Sequence, residues 1–218
     1  MLKMNKKVIL VHGYTKHYDD MLVLKKNLEL LGYEAILVDL PLTFEYITDA
    51  VIVFEEKINE IIYSLKEDEK ISLVGHSTGG LVIRLLLSNT KYIEKIYRCV
   101  LIATPNKGSE LADIASRISH IFINIFKTLK SLRHENVEKL DLKQIDDIEI
   151  GGIAGNKSDL LLGKLLENEN DGRVEVNSVR YKELKDFIVV PYNHEEIHYK
   201  FEVAELVDNF LRTGDFNK

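Results

Sequence analysis

Ser77 is the residue around which reactive groups can be assembled. It stands in Gly75-His76-Ser77-Thr78-Gly79, a G-x-S-x-G pattern. The apolar run Ile71, Leu73, Val74 precedes it, and a helical pattern through Leu81, Val82, Leu85 and Leu86 follows. A serine on a sharp strand-to-helix turn is forced into strained backbone angles, and small residues two before and two after let neighbouring backbones approach. The helix start places free N–H groups and a positive dipole end beside the hydroxyl. A serine hydroxyl is a poor nucleophile until a base takes its proton, and histidine is the usual base, held in the right tautomer by a carboxylate. One such arrangement runs serine, acid, histidine along the chain. Downstream of Ser77 stand His120, His134, His194 and His198. Only His194 comes just after an apolar run, in Val189-Val190-Pro191-Tyr192-Asn193-His194, so it is favoured over His198. The aspartates in range are Asp159, Asp171 and Asp186. Asp171 is favoured because a tight Asn170-Asp171-Gly172 turn can reach back to a histidine, although such a tripeptide is often only a turn. The backbone N–H groups of Thr78 and Tyr14 are the expected donors to a developing oxyanion.

Elements that could position these groups follow in order. Apolar runs at Lys7–Val11, Glu34–Val38, Ile71–Val74, Cys99–Ala103, Ile148–Ala154 and Phe187–Val190 read as six strands. A first helix carries Met21, Leu24, Leu28 and Leu31, capped by Asp19 or Asp20 and stopped by Gly32. Ile47, Val51, Phe54, Ile58, Ile61 and Leu65 mark a second. Ser109 to about Leu132 reads as a long helical region, with Ile114, Ile118, Ile121, Ile125, Leu129 and Leu132 in one stripe. A stripe of this spacing more often faces a core, and the alternative is an apolar cover over the acyl site that opens at a lipid or partner surface. His134 to Asp147 is polar and ill-defined, Leu160–Leu166 is a short helix, and a C-terminal helix carries Phe201 to Leu211. Strands alternating with helices give a mostly parallel α/β sheet with helices on both faces and the site at the carboxyl ends of the strands. Residues 1–218 are expected to form one domain.

Composition excludes several classes. A net charge of −6 argues against nucleic acid or an anionic membrane as an electrostatic partner. The single cysteine, Cys99, lies in an apolar run and reads as a small hydrophobe. The N-terminal lysines are followed by too short an apolar run for a signal peptide, and a cytoplasmic location is expected. No acidic cluster points to a metal, so neither metal nor cofactor is expected. Oligomeric state is not legible.

The chain resembles compact bacterial lipases and carboxylesterases of the α/β-hydrolase superfamily. The matching pieces are VHGY (Val11 to Tyr14), DLPLTFE (Asp39 to Glu45), SLVGHSTGG (Ser72 to Gly80), ATPNKGSELAD (Ala103 to Asp113), IGGIAGN (Ile150 to Asn156), NDGRVEVNSVR (Asn170 to Arg180) and VVPYNH (Val189 to His194). The resemblance implies a minimal six-stranded sheet, a triad of Ser77, Asp171 and His194, an oxyanion donor at Tyr14, and a lid or cap at residues 109–147. It implies a serine hydrolase of small ester or lipid substrates, with transient lipid-surface contact through the lid. The rival readings are an acyltransferase or thioesterase on the same triad, and a non-catalytic partner-binding module using the apolar lid stripe.

Overall fold

The computed structural model describes residues 6–142 and 147–218. Part of the N-terminal lysine cluster and part of the expected 109–147 lid therefore lie outside the described residues. Six strands, β1 (Lys7–Val11), β2 (Glu34–Val38), β3 (Ile71–His76), β4 (Ile96–Ile102), β5 (Glu149–Gly155) and β6 (Asp186–Val190), form one sheet in the order β2-β1-β3-β4-β5-β6. Every neighbouring pair is parallel. The reversal of strand order beside β1 and β3 puts the crevice for a ligand at their carboxyl ends.

Helices cover both faces, which is why the central strands are apolar on both sides. The helices are α1 (Leu22–Leu30), α2 (Ile47–Tyr63), α3 (Thr78–Asn89), α4 (Glu110–Ile118), α5 (His120–Ile125), α6 (Lys127–Ser131), α7 (His134–Glu138), α8 (Val176–Val179) and α9 (Phe201–Thr213). One core joins Leu73, Cys99 and Leu101 to Phe54 and Ile58 of α2 and Leu81 and Leu85 of α3. The other joins Val74, Val100 and Ile102 to Leu24 and Leu28 of α1 and Val207 and Phe210 of α9. Adjacent residues of β3 thus serve opposite cores, as the two-residue side-chain period demands.

Three expectations are corrected. The long helix over Ser109–Leu132 is broken into α4, α5 and α6. Ser119 leaves the helical region (φ −150, ψ 108) and its hydroxyl accepts from the Phe122 N–H, starting a new helix. Phe126 (φ −90, ψ 73) makes the second break. The stripe does not face a core along its middle: Ile118 and Ile121 are 79 and 77 % exposed, and Ile125 is 53 % exposed. Neither Asp19 nor Asp20 caps α1, which follows a short 3-10 turn over Tyr18–Met21, and Asp20 is engaged elsewhere. Gly32 does take the left-handed conformation that ends α1 (φ +94).

Candidate active site

The turn between β3 and α3 holds Ser77 at φ 53, ψ −125, a region that non-glycine residues rarely occupy. Its surroundings over-determine that conformation. The Ser77 N–H donates to Ile102 O (2.8 Å), and its carbonyl accepts from the Gly80 N–H (3.1 Å). The flanking glycines are needed for space: a Cβ at Gly75 would stand 2.5 Å from Gly80 N, and one at Gly79 only 2.4 Å from His12 O. The result is a hydroxyl at the carboxyl end of the central strand, on a residue only 7 % exposed.

His194 meets it from the loop after β6. Its Nε2 lies 3.0 Å from Ser77 Oγ, and its Nδ1 lies 2.8 Å from Asp171 Oδ2. A carboxylate can only accept from the ring, so Nδ1 carries the proton and Nε2 offers a lone pair to the serine hydroxyl. Asp171 is fully buried. Its other oxygen accepts from the Arg173 and Val174 N–H groups (2.9 and 2.7 Å), so every part of the carboxylate is engaged. The turn is set by Gly172 at φ +93 and by Asn170 Oδ1, which accepts from the Gly172 N–H. The two loops are tied directly, His194 N–H to Asp171 O (2.9 Å). Gly155 at the end of β5 permits this meeting, since a Cβ there would stand 2.4 Å from Tyr192 O and 2.9 Å from Asp171 Cβ.

The other candidates are placed elsewhere. Asp159 accepts from Asn193 Nδ2 (2.8 Å), and Asp186 accepts from the Phe216 N–H. His120 is exposed, and His134 pairs with Asp113 (2.6 Å). His198 is not a solvated surface group but is 1 % exposed, beside Asp20 and stacked on His76.

Tyr14 and Thr78 line the same cavity as Ser77 and His194, and among the described residues neither of their N–H groups has a protein acceptor. Sequence reasoning placed His12 in the motif but gave it no role. It is fully buried, its Nδ1–H donates to Gly13 O (2.9 Å), and its Nε2 accepts from the Leu40 N–H (3.0 Å). It thereby pins the loop carrying Tyr14 to the loop after β2. Burial pulls its basicity down, which favours the neutral ring this bonding needs.

The cavity over Ser77 has a volume of about 430 Å³. Its lining combines apolar side chains, among them Leu111, Ile114, Ile118, Phe122, Leu162 and Leu165, with polar ones, among them Lys16, Asp20, His76 and His198. Both an apolar chain and a polar group can therefore find matching side chains in it. His76 stays neutral there, because burial and the neighbouring His198 and His194 hold it well below the ordinary histidine value.

Comparison with known proteins agrees with this architecture. The family described as the PGAP1-like alpha/beta domain matches residues 42–185. Methylesterase 2 of Arabidopsis thaliana is 28% identical, the match covering 74% of this chain and 70% of that protein. Among solved structures, the mature form of a Bacillus licheniformis lipase superposes with a TM-score of 0.80 at 20% identity, covering 95% of this chain and 91% of that one. A metagenomic carboxyl esterase gives 0.70 at 16% identity, covering 88% and 65%. The fold is that of the α/β-hydrolase superfamily, shared with esterases and lipases.

Proposed function

The chain belongs to the PGAP1-like alpha/beta domain family, and from that premise we propose that it is a serine hydrolase of carboxylic esters working through an acyl-enzyme. The observation that carries the reading is the unbroken run Ser77 Oγ, His194, Asp171, with links of 3.0 and 2.8 Å. Ser77 Oγ attacks the ester carbonyl carbon while His194 Nε2 takes its proton. The oxyanion is received by the Tyr14 and Thr78 N–H groups. The tetrahedral adduct collapses, His194 gives the proton to the departing alcohol, and an acyl-serine remains. Water then repeats the sequence, its proton passing to His194 and its oxygen to the acyl carbon. Asp171 keeps its charge throughout and stabilises the imidazolium.

The substrate is an ester with an apolar acyl arm. Residues 1–218 act as one hydrolase domain with residues 109–147 as its lid, whose described part carries α4, α5, α6 and α7. Ile118, Ile121, Phe122 and Ile125 lie together on α4 and α5, all more than 40 % exposed, and give the lid an apolar surface for transient contact with lipid. Among the described residues no helix is long and apolar enough to cross a membrane. A series of p-nitrophenyl esters of rising chain length tests the reading. Ester cleavage that rises with chain length and vanishes in Ser77→Ala supports it. A rate unchanged in Ser77→Ala overturns it.

A further inference from the structure

The cavity lining holds three clustered side chains that the hydrolytic scheme leaves unused. Asp20 comes from the turn before α1, His76 from the end of β3, and His198 from the turn before α9. His76 and His198 are 3 and 1 % exposed. Asp20 Oδ2, His76 Nδ1 and both ring nitrogens of His198 are buried without a hydrogen-bond partner. Buried polar atoms are as a rule hydrogen-bonded, so several unpaired side by side call for a common partner.

Their bonding shows which atoms offer lone pairs. His76 Nε2 lies 3.1 Å from the His194 carbonyl oxygen. A carbonyl only accepts, so Nε2 carries the proton and Nδ1 a lone pair. That lone pair faces Asp20 Oδ2 at 3.9 Å, itself a lone-pair carrier. His198 Nε2 lies 3.2 Å from the same oxygen but is not aligned for a hydrogen bond. Three donor atoms thus come within 4.8 Å of one another. Two ligands at ~2.1 Å from one tetrahedral ion stand ~3.4 Å apart, and the 3.2 and 3.9 Å separations bracket that value, although the two rings, now stacked at 3.9 Å with 27° between their planes, must swivel for both lone pairs to meet one ion. The other Asp20 oxygen is already fixed, accepting from Tyr199 OH (2.8 Å) with Lys16 Nζ 3.6 Å away. This is the outer support that orients a ligating carboxylate.

We propose that Asp20, His76 and His198 form a binding site for a divalent transition ion of the Zn²⁺ class. Two imidazoles and a carboxylate suit such an ion, and three protein ligands leave a further position open. All three residues line the cavity, so that position faces the substrate space and takes a water or a substrate oxygen. The other clustered group, Glu110, Asp113 and His134, does not compare, since Arg117, Arg133 and His134 already engage its carboxylates.

The test is calorimetric titration of the chelator-treated full chain with Zn²⁺, with Co²⁺ absorption reporting the ligand geometry. Neither readout depends on ester cleavage, so failure here is distinct from failure of the proposed activity. One Zn²⁺ per chain is expected. Tyr199→Phe, which removes only the support of Asp20, weakens binding roughly 10-fold. Asp20→Asn and His198→Gln weaken it by more, and His134→Ala leaves it unchanged. If a ligand variant does not fold, the wild-type stoichiometry and Tyr199→Phe decide. Absence of a saturable site below millimolar Zn²⁺ overturns the proposal. So does affinity unchanged in the Asp20, His198 and Tyr199 variants, or lost in His134→Ala.

Discussion

Every residue of β3 is buried, whereas Ile118 and Ile121 on the segment above it are 79 and 77 % exposed. Both stretches are rich in aliphatic side chains, yet they are built for different ends. At the turn after β3, backbone hydrogen bonds and glycine contacts leave Ser77 a single conformation, and strain is tolerated because the surroundings enforce it. In α4, α5 and α6 the helices are short and broken. They are held by Ser109 N–H to Leu132 O (2.8 Å) and Thr128 Oγ1 to Glu45 O (2.6 Å), while Ile118, Ile121 and Ile125 stand in solvent. Chemistry needs atoms fixed to a fraction of an ångström, whereas gripping an acyl chain needs only apolar area.

The largest effects should come from the rigid region. Ser77→Ala is expected to lower ester hydrolysis by at least about 10⁴-fold, and Asp171→Asn by about 10⁴-fold through loss of the correct His194 tautomer. Steady-state kinetics checks both. Next comes Gly79→Ala. Its Cβ meets two backbone oxygens at 2.4 and 2.5 Å, which side-chain movement cannot relieve. A loss of about 3 kcal/mol or failure to fold is expected by denaturant unfolding.

The roof should answer differently. Replacing Ile118, Ile121 and Ile125 together by serine is expected to change stability by less than about 1 kcal/mol, because each already stands in water. The same change should lower kcat/KM for long-chain esters roughly 10-fold and spare short-chain esters. A loss of stability comparable to Gly79→Ala would erase the distinction between the two regions.

Much of this was legible in advance. All six strands fall within three residues of the apolar runs: the inner strands are mostly buried and have no polar alternation to blur them, and the partly exposed edge strands β2 and β6 are still continuous in apolar residues. The order serine, acid, histidine selected the three side chains that the fold brings together. The roof was less legible. A helical period tells which residues share a face, not what that face meets, and it runs undisturbed across the breaks at Ser119 and Phe126. The Asp20, His76 and His198 group left no trace at all, since its members come from three distant segments with no characteristic spacing. No acidic cluster in the sequence points to a metal, and the expectation of no metal followed from that.

Two smaller effects sharpen the contrast within the sheet. Burial pushes the Cys99 thiol far up, so the native protein should resist iodoacetamide at pH 8 and react only once unfolded. At the amino end of β5, burial pushes Glu149 up, but Arg98 (2.7 Å) and Lys185 (3.3 Å) outweigh it and hold the carboxyl below its ordinary value. Its stabilisation is therefore complete above about 4.3, the value in an unfolded chain, and is lost as the pH falls through the lower folded value. The side chain is 35% exposed, so solvent still screens the pair, and Glu149→Gln should cost no more than about 1 kcal/mol near neutrality and flatten the acid side of the unfolding profile.

The central claim, that Ser77 is made nucleophilic by His194 and Asp171, is tested most directly by an alkyl phosphonate ester reacting with the intact chain, followed by peptide mass spectrometry. A single adduct on Ser77, absent from Ser77→Ala and formed far more slowly by His194→Ala, is the predicted result. No adduct, or an adduct on another residue in a chain that still cleaves esters, would contradict it.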